Sequence, residues 1–226
     1  MKKLSVKDII EFRNKSERAK KSFVRNLKLE GDDRKPEGGG NYWIISISAI
    51  RNSFKNNDSR FISQKIYELQ EKLEATEYER TKVMYKRNLD ILYNYEVFDF
   101  SIWKPNETLY YLKKHFSDFI VTIKDLQIKA APNDVFSFQV NDKTEIGAVW
   151  FIAKLGGYRR IELGMFTEML FRYLENNYSK DYNINPRYCT AVDVVNKNYL
   201  NYSQLIEGEV SPLLDKTLDE INEITI

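Results

Sequence analysis

The chain has 226 residues, of which 42% are hydrophobic and 14% aromatic, enough for a sizeable core and enough to exclude disorder throughout. One Cys and one His exclude an internal disulfide and a Cys/His zinc site within a single chain. Net charge is only +2, but residues 1–35 hold twelve Lys/Arg against six Asp/Glu, and residues 203–226 hold one Lys against six Asp/Glu. Such end-to-end asymmetry points to nucleic acid, acidic lipid or an oppositely charged partner.

After Met1-Lys2-Lys3 no apolar stretch follows, because Asp8, Glu11 and Arg13 interrupt it. The expectation is a protein with no signal peptide or membrane span, in a reducing cytoplasm. Lys, Asn, Ile, Tyr and Phe prevail over Ala, Gly and Pro. That bias matches AT-rich codons and suggests a bacterial, phage or mobile-element origin.

Ser5-Val6-Lys7-Asp8 has the form of a capping box, so a helix is expected from Val6 to about Leu29. Ile9, Ile10 and Phe12 at one end and Phe23, Val24 and Leu27 at the other supply its apolar positions, with a polar middle between them. The segment 31–41, with Pro36 and Gly38-Gly39-Gly40, reads as a mobile loop. Trp43, Ile47, Ile50 and Phe54 share one helical face, followed by a break at Asn56-Asn57-Asp58 and a cap at Ser59. Ile62, Ile66, Leu69 and Leu73 repeat with coiled-coil spacing, and the pattern slips near Thr76. Residues 60–95 are therefore one helix with a stutter or two in a hairpin.

A boundary is placed near Asp99, separating a helical region (1–97) from an α+β domain (98–226). Phe98, Phe100 and Ile102 alternate with polar residues and predict a short strand. Pro105-Asn106 predicts a helix carrying Leu109, Leu112 and Phe116. Strands are expected at 119–123, 126–130, 135–140 and 146–153, the first two perhaps one bent strand, with a hairpin turn at Asn141-Asp142-Lys143. Beyond Gly156-Gly157 come a strong amphipathic helix, a buried strand at 188–195 and a partner strand at 199–203. Ser211-Pro212 predicts an N-cap and a first-turn Pro for a last, acidic helix. The fold class is α+β: N-terminal helices, then a mixed sheet of three to five strands with flanking helices.

The chemistry available is narrow. His115 falls on the predicted helix, and Cys189 falls in an apolar strand, so neither reads as catalytic. Neither a Walker A motif nor G-x-G-x-x-G is present, and Gly156-Gly157 reads as a strand-to-helix turn. Carboxylates remain: Asp134 heads a strand, Glu145 heads the next, Lys154 ends it, Glu162 opens the helix beyond, and Asp193 lies in a later strand. Such groups converging at strand ends hold Mg²⁺ and polarise phosphate.

The order helix (106–116), three strands (120–153), helix (161–176), strand (188–195) resembles the core of the PD-(D/E)XK nucleases. The resemblance implies metal binding and water activation by a strand-borne Asp and a (D/E)-x-K triplet. Pro132-Asn133-Asp134 and Ile152-Ala153-Lys154 fall near the matching places. Ile152 stands where the family has its second acid, which leaves Glu162 as a displaced substitute.

For binding, the first helix offers Arg13, Lys15, Arg18, Lys21, Arg25 and Lys28, of which Arg18 with Lys21 and Arg25 with Lys28 share a face. Further basic clusters stand at Arg80-Lys82-Lys86-Arg87 and Arg159-Arg160. Fifteen Tyr, thirteen Phe and three Trp exceed the evident needs of the core, and Tyr is enriched where proteins meet. The favoured expectation is a non-catalytic binding or assembly subunit without a cofactor. It would contact nucleic acid or a nucleic-acid-handling partner, in a setting such as bacterial genome defence, with another protein subunit as partner. The alternatives are a Mg²⁺-dependent nuclease with a degenerate core, using Asp134, Glu145 or Glu162, and Lys154, and a protein-interaction scaffold without nucleic acid.

Overall fold

A computed structural model describes residues 3–28 and 42–225. The capping box forms as the sequence implies. The Ser5 N–H donates to Asp8 Oδ2 at 2.8 Å and the Asp8 N–H to Ser5 Oγ at 3.2 Å, starting α1 (Val6–Arg13) just after the short strand β1 (Leu4–Ser5).

The single helix expected from Val6 to about Leu29 is two: α1, then α2 (Glu17–Lys28), while Leu29 and the glycine-rich loop at 31–41 lie outside the described residues. The physical reason is the polar middle. Phe12 and Phe23 meet with ring centroids 5.6 Å apart. In one straight helix, eleven residues would hold them about 16 Å apart along the axis. Bending at Asn14–Ser16 lets both apolar ends reach the same core.

Helix α3 (Ile44–Asn56) ends at Asn57, whose left-handed φ of 52° turns the chain. The 60–95 region is two helices, α4 (Arg60–Ala75) and α5 (Glu79–Tyr93), divided where Thr76 becomes extended.

Two expectations fail next. Residues 98–103 form no strand; Phe100–Trp103 is a 3-10 turn capped by Asp99, whose side chain accepts from the Ser101 N–H at 2.9 Å. The compact turn gathers Tyr95, Phe98, Phe100 and Trp103 into one aromatic cluster, with Phe98 and Trp103 centroids 4.6 Å apart. The helix expected at 106–116 is absent as well. Tyr110–Tyr111 (β2) adds to the sheet edge opposite Phe136 and Ser137, and His115 precedes a second 3-10 turn (Phe116–Phe119). Aromatic residues suit a pleated edge, and sheet pairing wins over weak helical spacing.

The runs at 119–123 and 126–130 are two strands and not one bent strand, a hairpin of β3 (Ile120–Ile123) and β4 (Leu126–Lys129). Lys124 and Asp125 both adopt positive φ in a two-residue turn. β5 (Asp134–Val140) and β6 (Lys143–Ile152) form a second hairpin through Asn141-Asp142, again both at positive φ. Helix α6 (Arg160–Tyr178) then carries the chain to β7 (Asn183–Asp193), parallel to β6. β8 (Asn198–Asn201) returns antiparallel to β7, before α7 (Tyr202–Ile206) and α8 (Leu214–Thr225). The last helix starts later than the expected Ser211-Pro212 cap. Its first N–H, from Leu214, is accepted instead by Glu168 Oε2 of α6 at 3.2 Å.

The fold is therefore α+β: an N-terminal helical stretch followed by mixed sheets of three strands (order β1-β4-β3) and five strands (order β2-β5-β6-β7-β8), flanked by helices. β6 is apolar on both faces. Ile146, Ala148 and Ile152 join the core under α1, α6 and α8, and Val149, Phe151 and Ala153 join the core under α3–α5. Phe136 and Phe138 are fully buried in the second core, where truncating either to Ala costs about 3–5 kcal/mol. The boundary expected near Asp99 falls between α5 and the first 3-10 turn. β1 pairs in parallel with β4, and α1 packs against α6 and α8. No helix among the described residues is long and apolar enough to cross a membrane.

Candidate functional site

A groove of about 920 Å³ opens beside the C-terminal end of β6. Helix α3 forms one wall with Trp43, Ile47 and Arg51, spaced i, i+4 and i+8 and so on one face. Lys7 of α1 and Lys129 of β4 stand in the wall, and the β6 end, from Trp150 to Leu155, completes the lining. Among the described residues, the lining holds four cations (Lys7, Arg51, Lys129 and Lys154) and no Asp or Glu. Its place beyond a parallel strand's carboxyl end is the usual one for ligands in crossover sheets.

Two of these cations are fixed from behind by buried carboxylates. Arg51 donates from Nε to Asp134 Oδ2 and from Nη2 to Asp134 Oδ1, both at 2.7 Å. The Asp134 side chain is 5% exposed and that of Arg51 40%. The fork is bidentate, and the hydrogen bond with Asp134 raises the guanidinium pKa above its usual value. Lys154 Nζ donates to Glu162 Oε2 at 2.9 Å and lies 4.5 Å from the Tyr158 ring centroid.

Glu162 also accepts from the Arg159 backbone N–H at 2.8 Å and from Arg159 Nη2 at 3.2 Å. Burial works to raise its pKa, but these hydrogen bonds prevail and hold it below the ordinary carboxylate range. The other two cations, Lys7 and Lys129, form no ion pair among the described residues, although Glu11 is near enough to act on the Lys7 charge. Lys7 is open to solvent on one side, yet the groove walls strip enough water to push its ammonium below the usual lysine range, with Glu11 partly opposing.

The sequence-named residues thus scatter over distinct tasks. Lys154 and Glu162 come together. Asp134 lies on the other face of the sheet, in line with Phe136 and Phe138 and opposite Val149, whereas Lys154 follows Trp150 and Ile152 on the α6 face. Glu145 stands at the far end of β6 and accepts from Asn185 Nδ2 at 2.5 Å.

Asp193 is fully buried at the end of β7. It accepts from the Tyr158 N–H at 2.8 Å and the Val195 N–H at 3.1 Å, and burial raises its pKa despite those bonds. It braces the Gly156-Gly157 turn. Gly157 has φ +74°, and a Cβ there would lie 2.4 Å from Asp193 Oδ2. No group of three or more His, Cys, Asp or Glu among the described residues is arranged to hold a metal ion. Cys189 is buried, its thiol raised by desolvation, and His115 precedes the second 3-10 turn.

The basic first helix behaves differently from the groove. α2 packs beside the acidic α8, and Lys20 pairs with both Glu17 and Glu220. Arg13 Nη1 donates to Thr217 Oγ1 at 3.0 Å. Arg18, Lys21 and Arg25 remain exposed, Lys15 is half-buried over the Phe23 ring, and the side chain of Lys28 lies outside the described residues. Arg87 donates to the Tyr42 hydroxyl, Arg159 to Asn14, and Arg160 to Glu209, so much of the other two clusters is engaged internally.

The aromatic excess divides likewise. Tyr95 is buried and Tyr202 stacks on Phe171 at 4.1 Å, while Tyr67, Tyr78, Tyr93 and Tyr110 are exposed. Lys7, Arg51 and Lys129 belong to no basic run, because the fold assembles them from three separate segments. Only Arg51, in phase with Trp43 and Ile47, has a signal in the sequence. No family model, curated protein or solved structure matches this chain.

Proposed function

We propose that this protein is a non-catalytic nucleic-acid-binding subunit whose phosphate contacts lie in the groove. The observation that carries the reading is a recess walled by four cations, with no carboxylate among the described residues of its lining and two tryptophans beside them. Sequence-independent affinity for nucleic acid comes chiefly from such cations. The buried Asp134 and Glu162 hold Arg51 and Lys154 in place, which reduces the side-chain entropy lost when a phosphate binds. The exposed face of α2 is a secondary contact. The exposed Tyr67 and Tyr78 on α4–α5 suit another protein subunit, and the lone buried thiol suits a reducing, cytoplasmic setting.

The test is binding of a labelled oligonucleotide of about 20 residues across a salt series starting near 50 mM. Affinity should fall linearly on log–log axes. The Lys7→Glu/Lys129→Glu double variant should lose at least about tenfold, and neither lysine forms an ion pair among the described residues whose loss would disturb the fold. The Arg18→Glu/Lys21→Glu/Arg25→Glu variant should lose less. If the wild type shows no salt-dependent binding, or the double variant binds like the wild type, the reading is wrong.

A further inference from the structure

We infer that the groove is built for single-stranded nucleic acid, with a base stacked on Trp43 or Trp150 while the cations hold the flanking phosphates. The inference rests on the nucleic-acid reading above and adds the form of the ligand.

Three features carry it. First, the groove is not simply basic. Ile44 and Leu155 in its lining are 52% and 68% exposed, an apolar surface that a phosphate-clad duplex would leave wet or press against charge. In a single strand the bases are free to turn inward and cover such surface, whereas duplex bases are already stacked on each other.

Second, the indoles are placed for this. Trp43 and Trp150 both line the groove and both retain exposed surface, unlike Trp103, which is 1% exposed. Each is braced by a second ring. Trp43 meets Tyr42 edge-on at 4.7 Å, and Trp150 meets Phe166 edge-on at 5.3 Å. A braced ring loses little freedom when a base stacks on it.

Third, aromatic and cation alternate along both walls. On α3, Trp43 and Arg51 are two turns apart, about 12 Å along the axis. Trp150 lies on β6 and Lys154 two residues past its end, about 13 Å further in the extended direction of the chain. A strand laid between these walls meets a stacking surface near one end and a fixed cation near the other, on either side. That spacing suits a few nucleotides.

The buried Trp103 makes the test selective, because only Trp43 and Trp150 are open to quenching by a stacked base. Full-length protein is titrated with oligothymidylate, and separately with a duplex of the same length, following both tryptophan emission and anisotropy of the labelled nucleic acid. The expected result is quenching by the single strand, at least about tenfold tighter binding of it than of duplex, and a loss of about tenfold on Trp43→Ala. The salt slope of Trp43→Ala should equal that of the wild type, and Trp43→Phe should recover part of the loss.

Quenching in the wild type needs no variant, so a Trp43→Ala protein that failed to fold would leave the test intact. Equal binding of duplex and single strand without quenching would overturn this inference and leave the nucleic-acid reading standing. Absence of salt-dependent binding to either form would overturn both. So would competition by polyglutamate as effective as competition by oligothymidylate, which would assign the groove to an acidic protein segment.

Discussion

Along the seam between α2 and α8 a basic and an acidic side chain meet, Lys20 with Glu220, and at the end of α1 Arg13 is taken up by the Thr217 hydroxyl of α8. Across the groove, four cations face open space and the carboxylates stand behind them, Asp134 under Arg51 and Glu162 under Lys154. The first region is conspicuous in the sequence as a basic beginning and an acidic end. The second leaves no run at all. The contrast shows that charge density along the chain and charge presented to a partner are separate quantities. The basic α2 and the acidic α8 partly neutralise one another because the fold packs them side by side. In the groove the carboxylates are turned inward, so it is the cations that the lining presents.

The largest expected effect sharpens this contrast through Arg51. Asp134 is 5% exposed and takes both of its side-chain ion-pair hydrogen bonds from that one guanidinium. Arg51→Ala takes from a buried carboxylate its hydrogen-bonded partner and leaves only the nearby Lys114 ammonium to oppose its charge, so it should cost about 3 kcal/mol, the low end for a broken buried pair. Urea unfolding measures it. An Arg51→Ala/Asp134→Asn double variant should regain much of the loss, since no uncompensated charge remains. If Arg51→Ala unfolds at the wild-type urea concentration, Asp134 is not held in the way described.

Lys154→Ala should be milder, about 1 kcal/mol, because Glu162 keeps the Arg159 side chain and backbone N–H as partners. A loss as large as that of Arg51→Ala would show that the redundancy around Glu162 does no work.

Glu162 and Asp193 should also respond to pH in opposite senses. Glu162 is held below the ordinary carboxylate range. The stability linked to it is therefore full above its unfolded pKa and is lost as pH falls through its folded value. Asp193 is raised by burial. The stability linked to it is full below its unfolded pKa and is lost as pH rises through its folded value. Asp193→Asn should therefore flatten the decline of stability from the ordinary carboxylate range toward neutrality, while Glu162→Gln should flatten the decline in acid. Urea midpoints across a pH series distinguish the two, and identical profiles for both variants would contradict the assignment.

The fold was legible where periodicity and turn chemistry agree. The capping box at Ser5, the Asn141-Asp142 hairpin and the amphipathic helix α6 each carried a local signal strong enough to match their tertiary setting. Misreadings arose where local and distant interactions compete. Residues 98–103 alternate like a strand but close into a turn because Asp99 caps it and the aromatics attract one another. Tyr110-Tyr111 leave a predicted helix because an open sheet edge is nearby. The groove was the least legible part. Asp134, Lys154 and Glu162 were visible as polar residues at element ends, but their roles depend on which face of the sheet each occupies. Lys7 and Lys129 become neighbours of Arg51 only through the pairing of β1 with β4 and the packing of α3, which no local pattern encodes.

The smallest expected effect lies back at the α2–α8 seam and would break the comparison if it proved large. Lys20 and Glu220 form a pair open to water on one side, with side chains 12% and 32% exposed, and partly solvated ion pairs add little to stability because water still screens the attraction and two long side chains must be ordered. Val24 and Leu218, both buried, should hold the two helices in place without it. Lys20→Gln and Glu220→Gln should therefore unfold close to the wild type, with the remaining difference vanishing as salt is added. The informative readout is nucleic-acid affinity. Glu220→Gln removes one negative charge from beside the exposed face of α2, and should strengthen salt-sensitive binding slightly if that face is the secondary contact assigned to it. A gain rivalling the loss caused by Lys7→Glu/Lys129→Glu would move the principal phosphate contacts from the groove to the helix that the sequence first suggested.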